Sequence, residues 1–182
     1  MAVLGIDILL TLVREKKLIE NLSERDLTNS EGTGFDLRAG ELYELLGPGY
    51  LGVDIRETSP TGKEPIAKYD EHLTHKVVIP SGSSYLVRTI EIVNLPEDLL
   101  ARIKPRTTLF RSGVSLETGW VNPGYKGELT FSLFNFGPFD FTLEMGARIA
   151  HIVFEPIEGR TQAYRGQWQG GRVSTEGEEK QI

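Results

Sequence analysis

Two stretches of the 182-residue chain hold most of the side chains that can do chemistry. The first is Pro105-Arg106-Thr107-Thr108-Leu109-Phe110-Arg111-Ser112-Gly113. Two adjacent hydroxyls beside an arginine make a cradle for phosphate. Hydroxyls and backbone N–H groups donate hydrogen bonds, while the guanidinium supplies charge and a bidentate fork. The same residues also read as a helix start, with Thr107 or Thr108 capping a turn that runs to Arg111. Both readings can hold together, because a helix start is itself an anion site. The second stretch is Gly119-Trp120-Val121-Asn122-Pro123-Gly124-Tyr125-Lys126-Gly127. It predicts a β-hairpin with Asn122-Pro123-Gly124 at its tip, whose backbone can meet a pyrimidine edge, and Tyr125 can pack flat on a sugar and exclude a 2′-hydroxyl. Taken alone it is a tight hairpin and no more.

Three shorter segments add to these: Gly34-Phe35-Asp36-Leu37-Arg38-Ala39, Gly146-Ala147-Arg148-Ile149-Ala150-His151, and Tyr164-Arg165-Gly166-Gln167-Trp168-Gln169-Gly170-Gly171-Arg172. An acid on a strand and a Gly/Arg segment near the end occur in many proteins, so none of the three identifies a site by itself.

The elements that must position these residues are mostly strands. Leu4, Ile8 and Leu12, flanked by Leu9 and Val13, recur at helical spacing and predict one N-terminal helix reaching Lys17. Short β-rich runs follow at 76–79, 85–87, 90–93 and 99–103, separated by Gly/Pro/Asn turns. The pattern predicts a mostly β sandwich or barrel, which the 20 glycines suit. Residues 47–69, polar and rich in Gly and Pro, read as a surface excursion between strands. Residues 1–173 read as one domain, and 174–182 as a charged, flexible C-terminal tail.

Composition narrows the function. A net charge of −6 without a long basic run argues against nucleic acid as a partner, yet leaves room for a small anionic ligand held by a few arginines. The absence of cysteine excludes disulfides, thiolate catalysis and the zinc sites of nucleobase deaminases, so no zinc is expected. His72 and His75 form the one close histidine pair and read as exposed loop residues. The apolar run of residues 1–12 is interrupted by Asp7 and followed by charges. It reads as an amphipathic helix rather than a signal peptide or membrane span, and the protein is expected to be cytoplasmic, with no membrane partner.

Together and in this order, the five segments resemble the dUTPase/dCTP deaminase superfamily over nearly the whole chain. The N-terminal helix, Ile19-Glu20-Asn21-Leu22 and Leu95-Pro96-Glu97-Asp98-Leu99 are more similar to its deaminase branch. The resemblance implies a distorted β-barrel or jelly roll of the dUTPase-like type and a homotrimer whose sites combine motifs of neighbouring copies. The implied ligand is a deoxypyrimidine nucleoside triphosphate, dUTP or dCTP, with Mg²⁺ bound to its phosphates. Arg106, Thr107, Thr108 and Arg111 are then the phosphate-binding residues. Trp120, Val121 and Tyr125 contact base and deoxyribose, while Asp36 stands near the Mg²⁺–triphosphate and meets the metal only indirectly. Arg165, Gln169, Gly170, Gly171 and Arg172 match a C-terminal segment that closes over the phosphates.

Two positions depart from that pattern. Superfamily members that hydrolyse dUTP carry an Asp where Asn122 stands; an amide still accepts a hydrogen bond from a hydroxyl but takes no proton. Deaminases of the family carry a Glu ten positions later, where Ser132 stands here. Glu117, on the strand entering the base-facing side, is the carboxylate best placed to compensate, ahead of Glu128. His151 replaces a common glutamine and is expected to pack at a subunit interface. Trp168 is the aromatic available for the lid. Three functions follow: hydrolysis of dUTP to dUMP and pyrophosphate, with Asn122 and Glu117 at the chemistry; deamination of dCTP to dUTP or directly to dUMP; or nucleotide binding by a regulator without catalysis.

Overall fold

The computed structural model of the chain describes residues 2–181. Helix α1 (Ile6–Lys16) ends on Lys17, whose left-handed φ of 52° closes the last turn. Its buried stripe is centred on Leu9 (0% exposed), whereas Ile8, which the helical spacing places in the core, is 47% exposed. The helix exists as expected, but it is rotated by one residue. Strand β1 (Ile19–Glu20) and helix α2 (Glu24–Thr28) follow. The Ser23 hydroxyl caps α2 by accepting from the Asp26 N–H at 3.2 Å.

The remaining elements are β2 (Phe35–Glu44), β3 (Tyr50–Leu51), β4 (Ile55–Glu57), β5 (Ala67–Lys68), β6 (Lys76–Ile79), β7 (Ser84–Asn94), β8 (Leu99–Pro105), helix α3 (Thr107–Arg111), β9 (Val114–Glu117), β10 (Lys126–Asn135), β11 (Phe141–Glu144), β12 (Arg148–Pro156) and β13 (Glu179–Lys180). The main antiparallel sheet runs β8-β12-β2-β7-β10-β9, with β1 on β7 and β5 on β2. A backbone bridge between Ala101 and Val121 (3.1 and 3.0 Å) links β8 to the loop after β9, so the sheet curls into a nearly closed barrel. No described helix is long and apolar enough to cross a membrane.

Period-two alternation builds the core. In β10, Leu129, Phe131 and Leu133 point inward, while Glu128, Thr130 and Ser132 occupy the other, half-exposed face. The runs expected at 85–87 and 90–93 are one continuous strand. Alternation carries on through Thr89 and Glu91, which are buried although polar. Arg38 satisfies Glu91, donating its Nε at 2.6 Å and its backbone N–H at 2.8 Å.

The excursion at 47–69 has structure of its own. Strands β3 and β4 pair, and β13 adds to β4, so residues of the C-terminal segment complete a three-stranded sheet. The stretch expected as a free tail thus lies against the excursion, with Thr175 buried.

Candidate active site

The residues from Gly119 to Tyr125 form a wider structure than the expected tight hairpin. β9 and β10 pair from Glu117–Ser132 to Val114–Asn135, leaving an open loop between them. Distant backbone draws the tip away: Gly124 N donates to Leu95 O (3.0 Å) and Leu95 N to Tyr125 O (2.8 Å). Gly124 sits at φ 80°, where its lack of a Cβ is required.

This loop opens a cavity of about 720 Å³. Trp120, Val121, Asn122 and Tyr125 form one side, Leu129 to Ser132 of β10 another, and Tyr164, Trp168, Arg172 and Val173 cover it; Leu45, Thr58 and Ser59 add a wall from β2's end and the excursion. Tyr125 is buried, edge-on to Tyr164 at 5.6 Å, and its hydroxyl donates to Glu128 O at 2.5 Å. Burial raises its pKa to about 12, so it stays a neutral phenol. Trp120 stands at the mouth, 60% exposed, with the Arg102 guanidinium 4.9 Å from its ring. Among the described residues lining this cavity there is no carboxylate, and the one cation, Arg172, is paired with Glu179.

The segment from Tyr164 to Gly171 is seated on the loop. Tyr164 N donates to Pro123 O (2.6 Å) and Gly170 N to Lys126 O (2.7 Å). Gln169 uses both ends of its amide, accepting from Lys126 N and donating to Gly124 O, each at 3.1 Å. Gly127 and Gly171 touch closely enough that a Cβ on Gly127 would lie 2.3 Å from Gly171 N.

A second constellation centres on Asp36, which is 3% exposed. Its carboxylate accepts from Arg106 Nη1 (2.9 Å), Arg148 Nη1 (2.8 Å) and His151 Nδ1 (3.1 Å), with Arg25 at 3.4 Å. Burial pushes the Asp36 carboxyl up, but His151, Arg148 and Arg106 outweigh it and bring its pKa down to about 2. His151 has an acceptor at each ring nitrogen, Asp36 at Nδ1 and Thr33 O at Nε2 (2.7 Å). The Asp36 bond raises its pKa against the opposing effect of burial. A smaller cavity beside Asp36, lined also by Arg25, Asp26, Glu31, Arg106 and His151, shares no lining residue with the large one.

The chain matches the family described as dCTP deaminase-like over residues 4–157. The chain belongs to that family. It is 35% identical over 159 residues to the dCTP deaminase of Pyrococcus furiosus, covering 87% of this chain and 88% of that protein. It is 34% identical over 138 residues to a probable deoxyuridine 5′-triphosphate nucleotidohydrolase of Methanothermobacter thermautotrophicus, covering 75% and 85%. Its fold is similar to that of the dCTP deaminase of Agrobacterium tumefaciens, with a TM-score of 0.62 at 18% identity, over 84% of this chain and about half (47%) of that longer chain.

Placed in this dCTP deaminase-like fold, the expected residues fall into separate groups. Trp120, Val121, Asn122 and Tyr125 line the large cavity. Gln169, Gly170 and Gly171 clamp its loop, while Arg165 is exposed and bonded to Gln162. Arg106 joins Asp36. Thr107 and Thr108 open α3 with exposed hydroxyls, but Arg106, not a threonine, is its N-cap, and no side chain caps it. Neither threonine hydroxyl bonds to any described residue, so both remain as donors. Arg111 lies at the end of α3 beside Phe110, outside both cavities. Glu117 is exposed and accepts from Ser115 Oγ at 2.5 Å. His151 serves the charged cluster. His72 and His75 are exposed, and no described group of three or more acids and histidines could hold a metal.

Several site residues escaped sequence reading. Arg25 reaches Asp36 from α2, whose Ser23-x-x-Asp26 start resembles a capping box and was the available signal. Leu45, Thr58 and Ser59 enter the cavity wall only through non-local pairing, and no local pattern marks them.

Proposed function

We propose that this protein binds a pyrimidine deoxynucleoside triphosphate and hydrolyses dUTP to dUMP and pyrophosphate. One observation carries the choice of reaction: the cavity suited to base and sugar has no carboxylate among its described lining residues, and Ser132 occupies the deaminase glutamate position. Deamination must move protons at the ring, which an ordinary serine cannot do. Phosphoryl transfer relies on positioning and on charge placed around the phosphates, and proceeds with less proton handling.

The chain's own groups support that division of labour. Apolar and aromatic walls around Trp120, Tyr125 and Phe131 suit a base and deoxyribose, and the Asn122 amide can accept from a sugar hydroxyl. Arg106, Arg148 and Arg25 converge on Asp36 together with His151, whose pKa the Asp36 bond raises, and Thr107 and Thr108 follow Arg106 in the chain with exposed hydroxyls. Convergent guanidinium groups suit a triphosphate. Asp36 does not fit a direct metal ligand, because cations engage both its oxygens. Magnesium therefore belongs to the substrate as its phosphate complex.

Each half is insufficient alone. Among the described residues, the cavity offers no unpaired cation for three phosphates, and the Asp36 cluster offers no apolar wall for a base. This supports a homotrimer in which neighbouring copies join the halves. A second reading, dCTP deamination with Glu117 as the acid, is favoured by the register that sets Glu117 opposite Ser132. Incubation with dUTP and with dCTP, each with Mg²⁺, followed by chromatography of the products, separates the readings. dUMP from dUTP alone supports the first, and dUTP or dUMP from dCTP the second. Binding without turnover leaves a regulator.

A further inference from the structure

We infer that Arg88 is a positioning residue for sugar recognition: it fixes Gly171, and through Gly171 it holds the Tyr125 ring where that ring excludes a 2′-hydroxyl. This rests on the nucleotide-binding reading above and names a residue, outside the cavity lining, on which its choice of deoxyribose depends.

Arg88 lies mid-way along β7, on the same face as Leu86, a cavity residue two positions earlier. Across the ladder it is opposite Glu41 of β2 on one side and Thr130 of β10, another cavity residue, on the other. Its guanidinium bonds the Glu41 carboxylate through Nη2 and donates from Nη1 to Gly171 O at 3.3 Å. Glu41 is buried, and two further groups hold it: the Tyr43 hydroxyl at 2.6 Å and Lys68 Nζ at 2.9 Å. Burial pushes the Glu41 carboxyl up, but Tyr43, Lys68 and Arg88 outweigh it and bring its pKa below the ordinary value. Arg88 thus has a charged anchor at neutral pH. Its planar fork can serve that anchor and the Gly171 carbonyl at once, in fixed directions, which a point charge on a flexible stem cannot.

Gly171 is where this network meets the sugar side of the cavity. Gly170 and Gly171 take left-handed φ values of 82° and 76°, which turn the chain tightly against β10. A Cβ on Gly171 would lie 2.3 Å from Glu128 Oε2, so the backbone there already rests on that strand. The Gly171 backbone N–H faces the Tyr125 hydroxyl and offsets part of the burial that raises its pKa. The same hydroxyl donates to Glu128 O at 2.5 Å. Both capacities of the phenol are therefore spent on backbone, and only the ring is left for a ligand. A ring excludes one extra oxygen by position alone, so the discrimination is as firm as the ring's support. Arg88 sets that support from the carbonyl side of Gly171.

Calorimetric binding of the non-hydrolysable imido analogues of dUTP and UTP, each with Mg²⁺, tests this. Wild type should prefer the deoxy analogue by at least about a hundredfold, and Arg88→Met should lower that preference by about tenfold, or 1.4 kcal/mol. A network that served the fold alone would weaken both analogues alike and leave the ratio unchanged. Tyr125→Phe, which removes the hydroxyl that Gly171 faces, should lower the ratio to a similar extent. Arg88→Met/Tyr125→Phe should then lower it no further, because the two residues act along one route. Size and thermal melting are checked for each variant. Glu41→Gln keeps the shape of the anchor but not its charge, should lower the ratio in the same direction, and carries the test if Arg88→Met does not fold. An unchanged ratio in the folded variant overturns the inference and leaves the nucleotide reading intact. So do fully additive losses in the double variant, or a wild type that binds both analogues equally. A wild type that binds neither overturns both.

Discussion

Glu117 on β9 stands directly opposite Ser132 on β10 in the antiparallel ladder. Cross-strand partners project from the same face with Cβ atoms about 5 Å apart. The fold therefore brings an acid alongside the position where the deaminase glutamate is missing. Ser132 faces the cavity, while the Glu117 carboxylate is held by Ser115 outside the lining. Glu117→Gln should lower kcat by about 10²–10⁴-fold if that carboxylate assists proton transfer, with nucleotide affinity unchanged. Steady-state kinetics beside analogue binding check this, and an unaltered kcat removes Glu117 from the chemistry.

Asn122 is exposed on the loop, and its backbone carbonyl, not its side chain, holds the turn by accepting from Tyr125 N at 3.1 Å. Substitution by the isosteric acid should leave the fold intact. Asn122→Asp is expected to raise kcat for dUTP hydrolysis by about 10²-fold or more, the usual worth of a positioned general base. A rate equal to wild type would show that this position does not orient the attacking water.

What the sequence made legible follows the range of the interactions involved. The mostly β architecture with an N-terminal helix is written in local alternation, and it stands. Asp36 meets Arg106 of the expected phosphate cradle, whereas Arg111 lies outside that cluster, and no local pattern could separate the two arginines. The hairpin at Asn122-Pro123-Gly124 came out as an open loop because long-range partners are invisible to turn chemistry; here Leu95, in the turn after β7, and Ala101 of β8 hold the loop. β7 looked broken at Arg88 and Thr89 because an inward polar residue breaks a hydrophobic pattern, although Thr89 is satisfied by donating to Glu91 O (2.8 Å). The excursion and the tail each lack apolar periodicity, and only their pairing with one another explains either.

The Asp36–His151 pair sets a pH window for stability. Asp36 has its pKa lowered to about 2, so its contribution is complete above the unfolded value near 4 and fades as pH falls through about 2. His151 has its pKa raised, so its contribution is complete below the unfolded value near 6.5 and is lost as pH rises through the higher folded value. The melting temperature of wild type relative to His151→Gln should therefore be greatest between about pH 4 and 6.5 and shrink on further alkalinisation. A difference that is flat from pH 5 to 9 would mean His151 is neutral in the folded protein.

The buried pair Arg38–Glu91 makes the sharpest stability prediction. Glu91 is 0% exposed, and burial raises its pKa in spite of two hydrogen bonds from Arg38. Arg38 also donates to Asn21 O at 2.5 Å, fixing a residue held at a left-handed φ of 61°. Removing the guanidinium strands a buried carboxylate in the barrel wall. Arg38→Ala should lower the unfolding free energy by about 3–5 kcal/mol. The double variant Arg38→Met/Glu91→Leu should recover most of that loss, because apolar side chains of similar volume carry no desolvation cost. Urea unfolding of the three proteins measures both steps. If the double variant is no more stable than Arg38→Ala, the loss came from the Asn21 turn and not from the stranded carboxylate.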